Sequence, residues 1–245
     1  MAGHSKWSKI KRKKGETDKK RGKIFTRCIH EITVAVREGG GGDPNFNPRL
    51  REAIDKAKSV NMPNNNIDRA IKRATGEEKS EEQYELTYEG YGPNGVAVIV
   101  DVLTNNKNRT VSEVRHAFSK HGGTLGENGC VAWMFEKKGV LTIKREVVEE
   151  EALMDVALDA GAEDISDEGD VWEVVTPANE FHEIKTKIKE TFEIDSDELM
   201  MIPSTRVALE GDSVEKMLKL HDALDDLDDV LNVWVNCDFP EDADQ

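Results

Sequence analysis

The chain has 245 residues, 37% of them apolar, with 49 Asp/Glu against 34 Lys/Arg and a net charge of −15. That is enough chain for two or three domains with a sizeable core, so neither disulfides nor metals are needed to hold it together. The three cysteines, Cys28, Cys130 and Cys237, form no CxxC pair and are odd in number, which favours a reducing compartment over a disulfide framework. Apolar runs such as Val96 to Val100 are far too short to span a bilayer, and no apolar stretch follows the basic residues at the start, so the expected location is the cytoplasm with no membrane contact.

Charge is segregated along the chain. Lys6 to Lys23 holds ten Lys/Arg against Glu16 and Asp18 alone, with Trp7 and the run Lys11-Arg12-Lys13-Lys14 inside it. Residues 1–75 carry 19 Lys/Arg and 8 Asp/Glu, or +11, whereas residues 76–245 carry 15 and 41, or −26. Burying an unpaired cation costs on the order of several kcal/mol, so the basic head calls for an anionic partner.

In chain order, Asp18 to Arg37 reads as a helix with Phe25, Cys28, Ile29, Ile32, Ala35 and Val36 on one face. Gly39 to Gly42 with Asp43-Pro44 stops it. Asn47-Pro48 reads as an N-cap with proline at the first helical position, and Leu50, Ala53, Ile54 and Ala57 give the next stripe. After Met62-Pro63 a third helix turns Ile67, Ala70, Ile71 and Ala74 inward and Arg69, Lys72 and Arg73 outward, and Gly76 ends it.

Glu77 to Glu82 is acidic, lacks apolar residues and reads as a linker, after which the period changes to 2. Tyr84 to Glu89 and Val96 to Leu103 form a hairpin around the glycine-rich tip Gly90 to Gly95. Thr110 to His121 is a predicted helix and Val131 to Phe135 a predicted strand. Val140 to Lys144 begins a β-α-β-β-α-β series running to Ile202, the split pattern of a ferredoxin-like layer. Arg206 to Leu209 is extended, Val214 to Leu227 helical and Val230 to Asn236 a strand. That last strand-helix-strand unit has no partner strands of its own, so it is expected to dock on the sheet of residues 84–135.

The predicted fold class is therefore α+β: an N-terminal three-helix bundle followed by two α+β, ferredoxin-like domains, the second inserted in the first. The boundaries are 1–76 for the basic arm and bundle, 83–135 plus 205–238 for the discontinuous middle domain, 136–204 for the insertion, and 239–245 for an acidic tail.

Several motifs carry a family resemblance by their order. They are Ala2-Gly3-His4-Ser5-Lys6-Trp7, Arg21-Gly22-Lys23-Ile24-Phe25-Thr26, Met62-Pro63 with Ile67 to Ile71, Tyr88-Glu89-Gly90-Tyr91-Gly92-Pro93, and Asn108-Arg109-Thr110. Gly122 to Gly126 and Gly129-Cys130-Val131-Ala132-Trp133 complete the set. Over residues 2 to about 135 the chain resembles the YebC/PmpR family, and beyond that it agrees in layout. The resemblance implies a three-domain, non-catalytic protein of the class described in bacteria as probable transcriptional regulators, with members linked to translation, including a mitochondrial translational activator. The chain departs from the family at Thr104-Asn105-Asn106, where Thr-Asp-Asn is usual, and in its more charged Lys13-Lys14-Gly15-Glu16.

Sharper chemistry has weak support. His116 and His121 lie five apart, off one helical face, so no metal site is expected. His221 falls on an apolar helix face, as a core or interface imidazole would. Gly90 to Gly95 lacks phosphate-loop spacing, and Asp225-Asp226 with Asp228-Asp229 lacks the calcium-loop pattern and reads as solvated surface. Asp55 and Asp68 are too scattered for nuclease chemistry. Neither enzyme activity nor a cofactor is expected.

The basic head remains. Lys and Arg on an arm can follow a phosphate backbone, while Trp7 can stack on a base or anchor the arm to its own bundle. The residues expected to contact nucleic acid are Lys6, Trp7, Lys9, Lys11, Arg12, Lys13, Lys14, Lys19, Lys20, Arg21, Lys23, Arg27, Arg69, Lys72, Arg73, Asn108 and Arg109. The function expected first is a DNA-binding transcriptional regulator acting through this domain. The alternative is a ribosome-associated translation factor binding ribosomal RNA, and the acidic α+β domains offer a surface to a protein partner. Nothing in the sequence selects an oligomeric state.

Overall fold

The helical period of the N-terminal third becomes three helices in the computed structural model, which describes residues 18–78 and 83–238. They are α1 (Asp18–Glu38), α2 (Pro48–Ser59) and α3 (Asn64–Ala74). Their apolar stripes close on one another, with Ile32, Leu50 and Ala57 wholly buried. Each buried Leu or Ile contributes about 1.5–3 kcal/mol. Asn47 joins two of the helices. Its side-chain oxygen accepts the Leu50 N–H at 3.0 Å, and its amide nitrogen donates to the Ala35 and Gly41 carbonyls, both at 2.8 Å. Any Cβ at residue 39 would collide with this amide, which is the reason for glycine there.

Beyond the bundle come β1 (Tyr84–Tyr91), β2 (Ala97–Thr104), α4 (Lys107–Lys120) and β3 (Thr124–Leu125). Then follow β4 (Phe135–Lys144), α5 (Glu150–Ala160), β5 (Asp164–Asp167), β6 (Val171–Pro177), α6 (Phe181–Lys189) and β7 (Ser196–Pro203). The last elements are β8 (Val207–Ala208), α7 (Asp212–Asp225), β9 (Val230–Val235) and β10 (Cys237–Asp238).

The first sheet has the order β3-β1-β2-β9, and the second β5-β6-β4-β7. The second is the all-antiparallel βαββαβ arrangement, with α5 and α6 covering Leu141, Ile143, Trp172 and Val174. In the first, the β1–β2 hairpin is central and β9 pairs with β2. Both faces of β2 are covered. Val98, Val100 and Val102 lie under α4 and α7, while Ala97 and Ile99 meet Val131 and Phe135. Burial on both sides is why this strand reads as an unbroken apolar run rather than an alternation.

Three local expectations are corrected. Val131 to Phe135 is not a strand: Ala132–Met134 is a short 3-10 turn, and the strand starts at Phe135. The N–H groups of Gly129, Val131 and Ala132 go to the Glu89 carboxylate, so Val131 and Ala132 are drawn out of any ladder. The helix expected from Thr110 begins at Lys107, because Asn106 caps it by accepting the Arg109 N–H at 3.1 Å. The extended segment after Pro203 does not join the first sheet. Val207–Ala208 instead pairs in parallel with Cys237–Asp238.

Candidate nucleic-acid interface

The basic residues expected at the interface fall into four groups. Lys6, Trp7, Lys9, Lys11, Arg12, Lys13 and Lys14 lie outside the described residues. Lys19, Lys20 and Arg21 lie within the first turns of α1. Arg69, Lys72 and Arg73 are exposed together on α3, with Arg69 and Arg73 loosely facing Glu78 at 3.9 and 3.8 Å. Spacing of three and four residues puts these cations on one helical surface.

Of the remaining members, Lys23, Arg27 and Arg109 are already engaged within the protein. Lys23 Nζ and Arg27 Nη2 both reach Asp225 Oδ1 at 3.2 Å, joining α1 to the end of α7. Arg109 holds Asp229 at 2.7 Å, whereas Asn108 is exposed and only its backbone carbonyl accepts the Ser112 hydroxyl. The acidic stretch read as solvated surface is thus corrected at two positions. Asp225 is the receptor for two cations of the bundle, and Asp229 accepts from Arg109, from Thr110 at 2.6 Å and from Thr104 at 3.0 Å. Burial pushes the Asp229 carboxyl up, but these donors outweigh it and hold it below the usual aspartate range.

The bundle meets the rest of the molecule through polar pairs. Besides Asp225, Glu85 of β1 lies 3.2 Å from His30, while Glu52 of α2 meets His182 at 3.4 Å and Lys185 at 3.5 Å on α6. The buried apolar residues of the bundle form a cluster of their own, as do those beneath each sheet. On the outer side of the bundle, the loop at Gly42 to Asn45 and helices α2 and α3 frame a groove of about 1000 Å³. It is lined by Arg51, Lys58 and Lys72 together with Asp43, Asp55, Asp68 and Glu77, so it has no single sign of charge.

Sequence reasoning missed a second feature, the loop after β3. Glu89, buried on β1, accepts the N–H groups of Gly129, Val131 and Ala132 at 2.7, 2.8 and 2.7 Å. Burial raises the Glu89 carboxyl, and the three donors more than reverse this, leaving it below the ordinary glutamate range. The signal was present in the paired motifs around Glu89 and Gly129, but the forty residues between them hid the contact. Among the described residues no helix is long and apolar enough to cross a membrane.

Comparison with known proteins covers nearly the whole chain. A family model for the TACO1/YebC protein N-terminal domain matches residues 5–77, and one for the TACO1/YebC second and third domain matches residues 83–237. A protein of Desulforapulum autotrophicum named a probable transcriptional regulatory protein is 52% identical over 244 residues, covering 99% of this chain and 98% of its own. One of the same name from Syntrophus aciditrophicus is 54% identical over 243 residues, covering 98% and 97%. The crystal structure of a conserved hypothetical protein from Aquifex aeolicus superposes with a TM-score of 0.81 at 44% identity, covering 94% of this chain and 95% of that one.

Proposed function

This chain belongs to the TACO1/YebC family, and from that premise we propose that it is a non-enzymatic, nucleic-acid-binding regulator of gene expression that grips DNA through its basic N-terminal domain. The observation that carries the reading is charge segregation, +11 over residues 1–75 against −26 over the remainder. The trio Arg69, Lys72 and Arg73, exposed on one surface of α3, supports the reading by adding cations on the bundle. Names of relatives as transcriptional regulatory proteins agree with it.

In this reading residues 1–76 are the grip. The unit of 83–135 with 205–238, and the inserted 136–204, form an acidic body that presents a surface to a protein partner. Each phosphate neutralised releases counterions, so affinity falls with salt at a log-log slope of about −0.9 per contact on duplex DNA. Charge reversal at Lys11, Arg12, Lys13 and Lys14 is expected to weaken binding and flatten that slope by roughly the number of contacts removed. Unchanged binding and slope would sink the reading. Tighter retention on ribosomes than on duplex DNA throughout the same salt series would move the target to ribosomal RNA.

A further inference from the structure

The loop from Gly126 to Met134 carries motifs that the reading above does not use. It is held on several sides. The Glu89 carboxylate gathers three of its N–H groups, and the Gly126 N–H donates to the Glu89 carbonyl at 2.8 Å. A carboxylate with charge-assisted bonds to backbone N–H groups makes a rigid template. What the template presents is Trp133, whose surface is 71% exposed.

The indole of Trp133 is oriented as well as exposed. Its N–H donates to the Cys130 carbonyl at 3.1 Å, and the Tyr91 hydroxyl donates to the same oxygen at 3.0 Å. With its one polar atom satisfied internally, the ring offers solvent only its faces and edge. Leaving that apolar area in water gains nothing for folding.

We infer that Trp133 is a stacking platform for an unpaired nucleobase of a single-stranded nucleic acid, held ready by the loop that Glu89 clamps. The inference rests on the nucleic-acid reading above and adds to it a strand type. The exposed residues beside Trp133 in sequence, Glu127, Asn128, Glu136 and Lys137, are polar. Tyr91, 37% exposed, shares the Cys130 carbonyl with the indole and stands as a second aromatic at the site, and aromatic faces accept a base whatever the sequence. The loop is not itself a phosphate grip, since Lys138 is tied to Glu136 at 2.9 Å and Glu163 at 2.8 Å, and the exposed Lys137 is outnumbered by the exposed Glu127 and Glu136. The division of labour is stacking here and phosphate contacts on the basic N-terminal domain.

That division sets the test. Binding of labelled oligo(A) RNA of roughly 12 nucleotides, of oligo(dA) of equal length and of duplex DNA is followed by fluorescence anisotropy across a salt series. Trp133→Ala is expected to weaken both single strands about 5- to 100-fold with the salt slope unchanged, and to leave duplex binding alone. Trp133→Phe keeps most of the affinity, because the π face survives. The side chain lies on the surface, so the variant folds, which an unchanged melting curve verifies. Single strands bound equally by Trp133→Ala and the parent would overturn the inference and leave the proposed function standing. An equal loss on duplex DNA overturns it too, since paired bases present no free face. A parent protein that binds none of the three probes at any salt defeats both.

Discussion

Arg27 donates to Asp225 at 3.2 Å across 198 residues of chain, and Lys23 reaches the same carboxylate oxygen. The basic bundle is thereby latched to the acidic body by charge, with His30 on Glu85 and Glu52 on Lys185 as further attachments. Such pairs are screened by salt and typically contribute about 0–1 kcal/mol each where solvent reaches them. A phosphate backbone arriving at α1 would compete with Asp225 for the same two cations.

Asp225→Asn is expected to loosen the latch without unfolding either partner. Hydrogen exchange should quicken along α1, with little change in circular dichroism. Polyanion affinity at low salt should rise a few-fold as Lys23 and Arg27 lose this carboxylate, an effect of roughly 0.5–1 kcal/mol. Exchange in α1 that matched the parent would show that the pairs do not hold the bundle in place.

Glu89→Gln retains the shape of the side chain but removes its charge and offers an amide nitrogen to N–H donors. A cost of about 1–3 kcal/mol follows from leaving buried donors poorly satisfied. The parent's pH dependence has a definite sign. The folded carboxyl lies below its unfolded value, so this contribution is present above pH ~4.5 and is lost as pH falls through the folded pKa. Urea titrations at neutral and acid pH should show the gap between parent and variant closing as the solution is acidified.

Glu173 has the opposite sign. It is buried on β6 opposite Thr142 and Ser166. Burial first, and then nearby Glu168, pushes its carboxyl up to about 7, with Arg206 opposing. A folded state that holds its proton more tightly than the unfolded chain loses stability as pH rises between the two pKa values, from ~4.5 to about 7. Glu173→Gln is expected to remove that loss, on the order of 2–3 kcal/mol at and above neutral pH, and to leave stability near pH 4 unchanged. Thermal melts of parent and variant over pH 4–8, in the range set by this linkage, check the prediction. A constant difference across the range would rule out titration of this group.

Much of the architecture was legible because burial is written locally. Ile67 and Ala70 recur at helical spacing and are buried together, with Arg69, Lys72 and Arg73 on the outer side of the same helix. Asn47 before Pro48 announced the start of α2 and caps it. The errors came where a distant side chain overrode local preference. Val131 to Phe135 has the composition of a strand, yet Glu89 claims its backbone donors and folds it into a turn. Arg206 to Leu209 has the pattern of an extended segment, but the partner of Val207–Ala208 is Cys237–Asp238 rather than the first sheet, a choice that no period could reveal.

By itself the sequence determined the helices and the longer strands, where the positive charge is concentrated, and the family to which the chain belongs. Each of these depends on composition, on periods of two and 3.6 residues, or on the order of short motifs, all of which survive in one dimension. Only the tertiary structure decided which charges are spent inside the protein and which face solvent. Lys23 and Arg27 looked as available as Arg69 and Arg73, and they differ because Asp225 is brought to the first pair across 198 residues. Trp133 owes its prominence to Glu89 and to Tyr91 in the same way. A hydrogen bond or ion pair acts over a few ångströms of space, and folding alone sets which residues come within that reach.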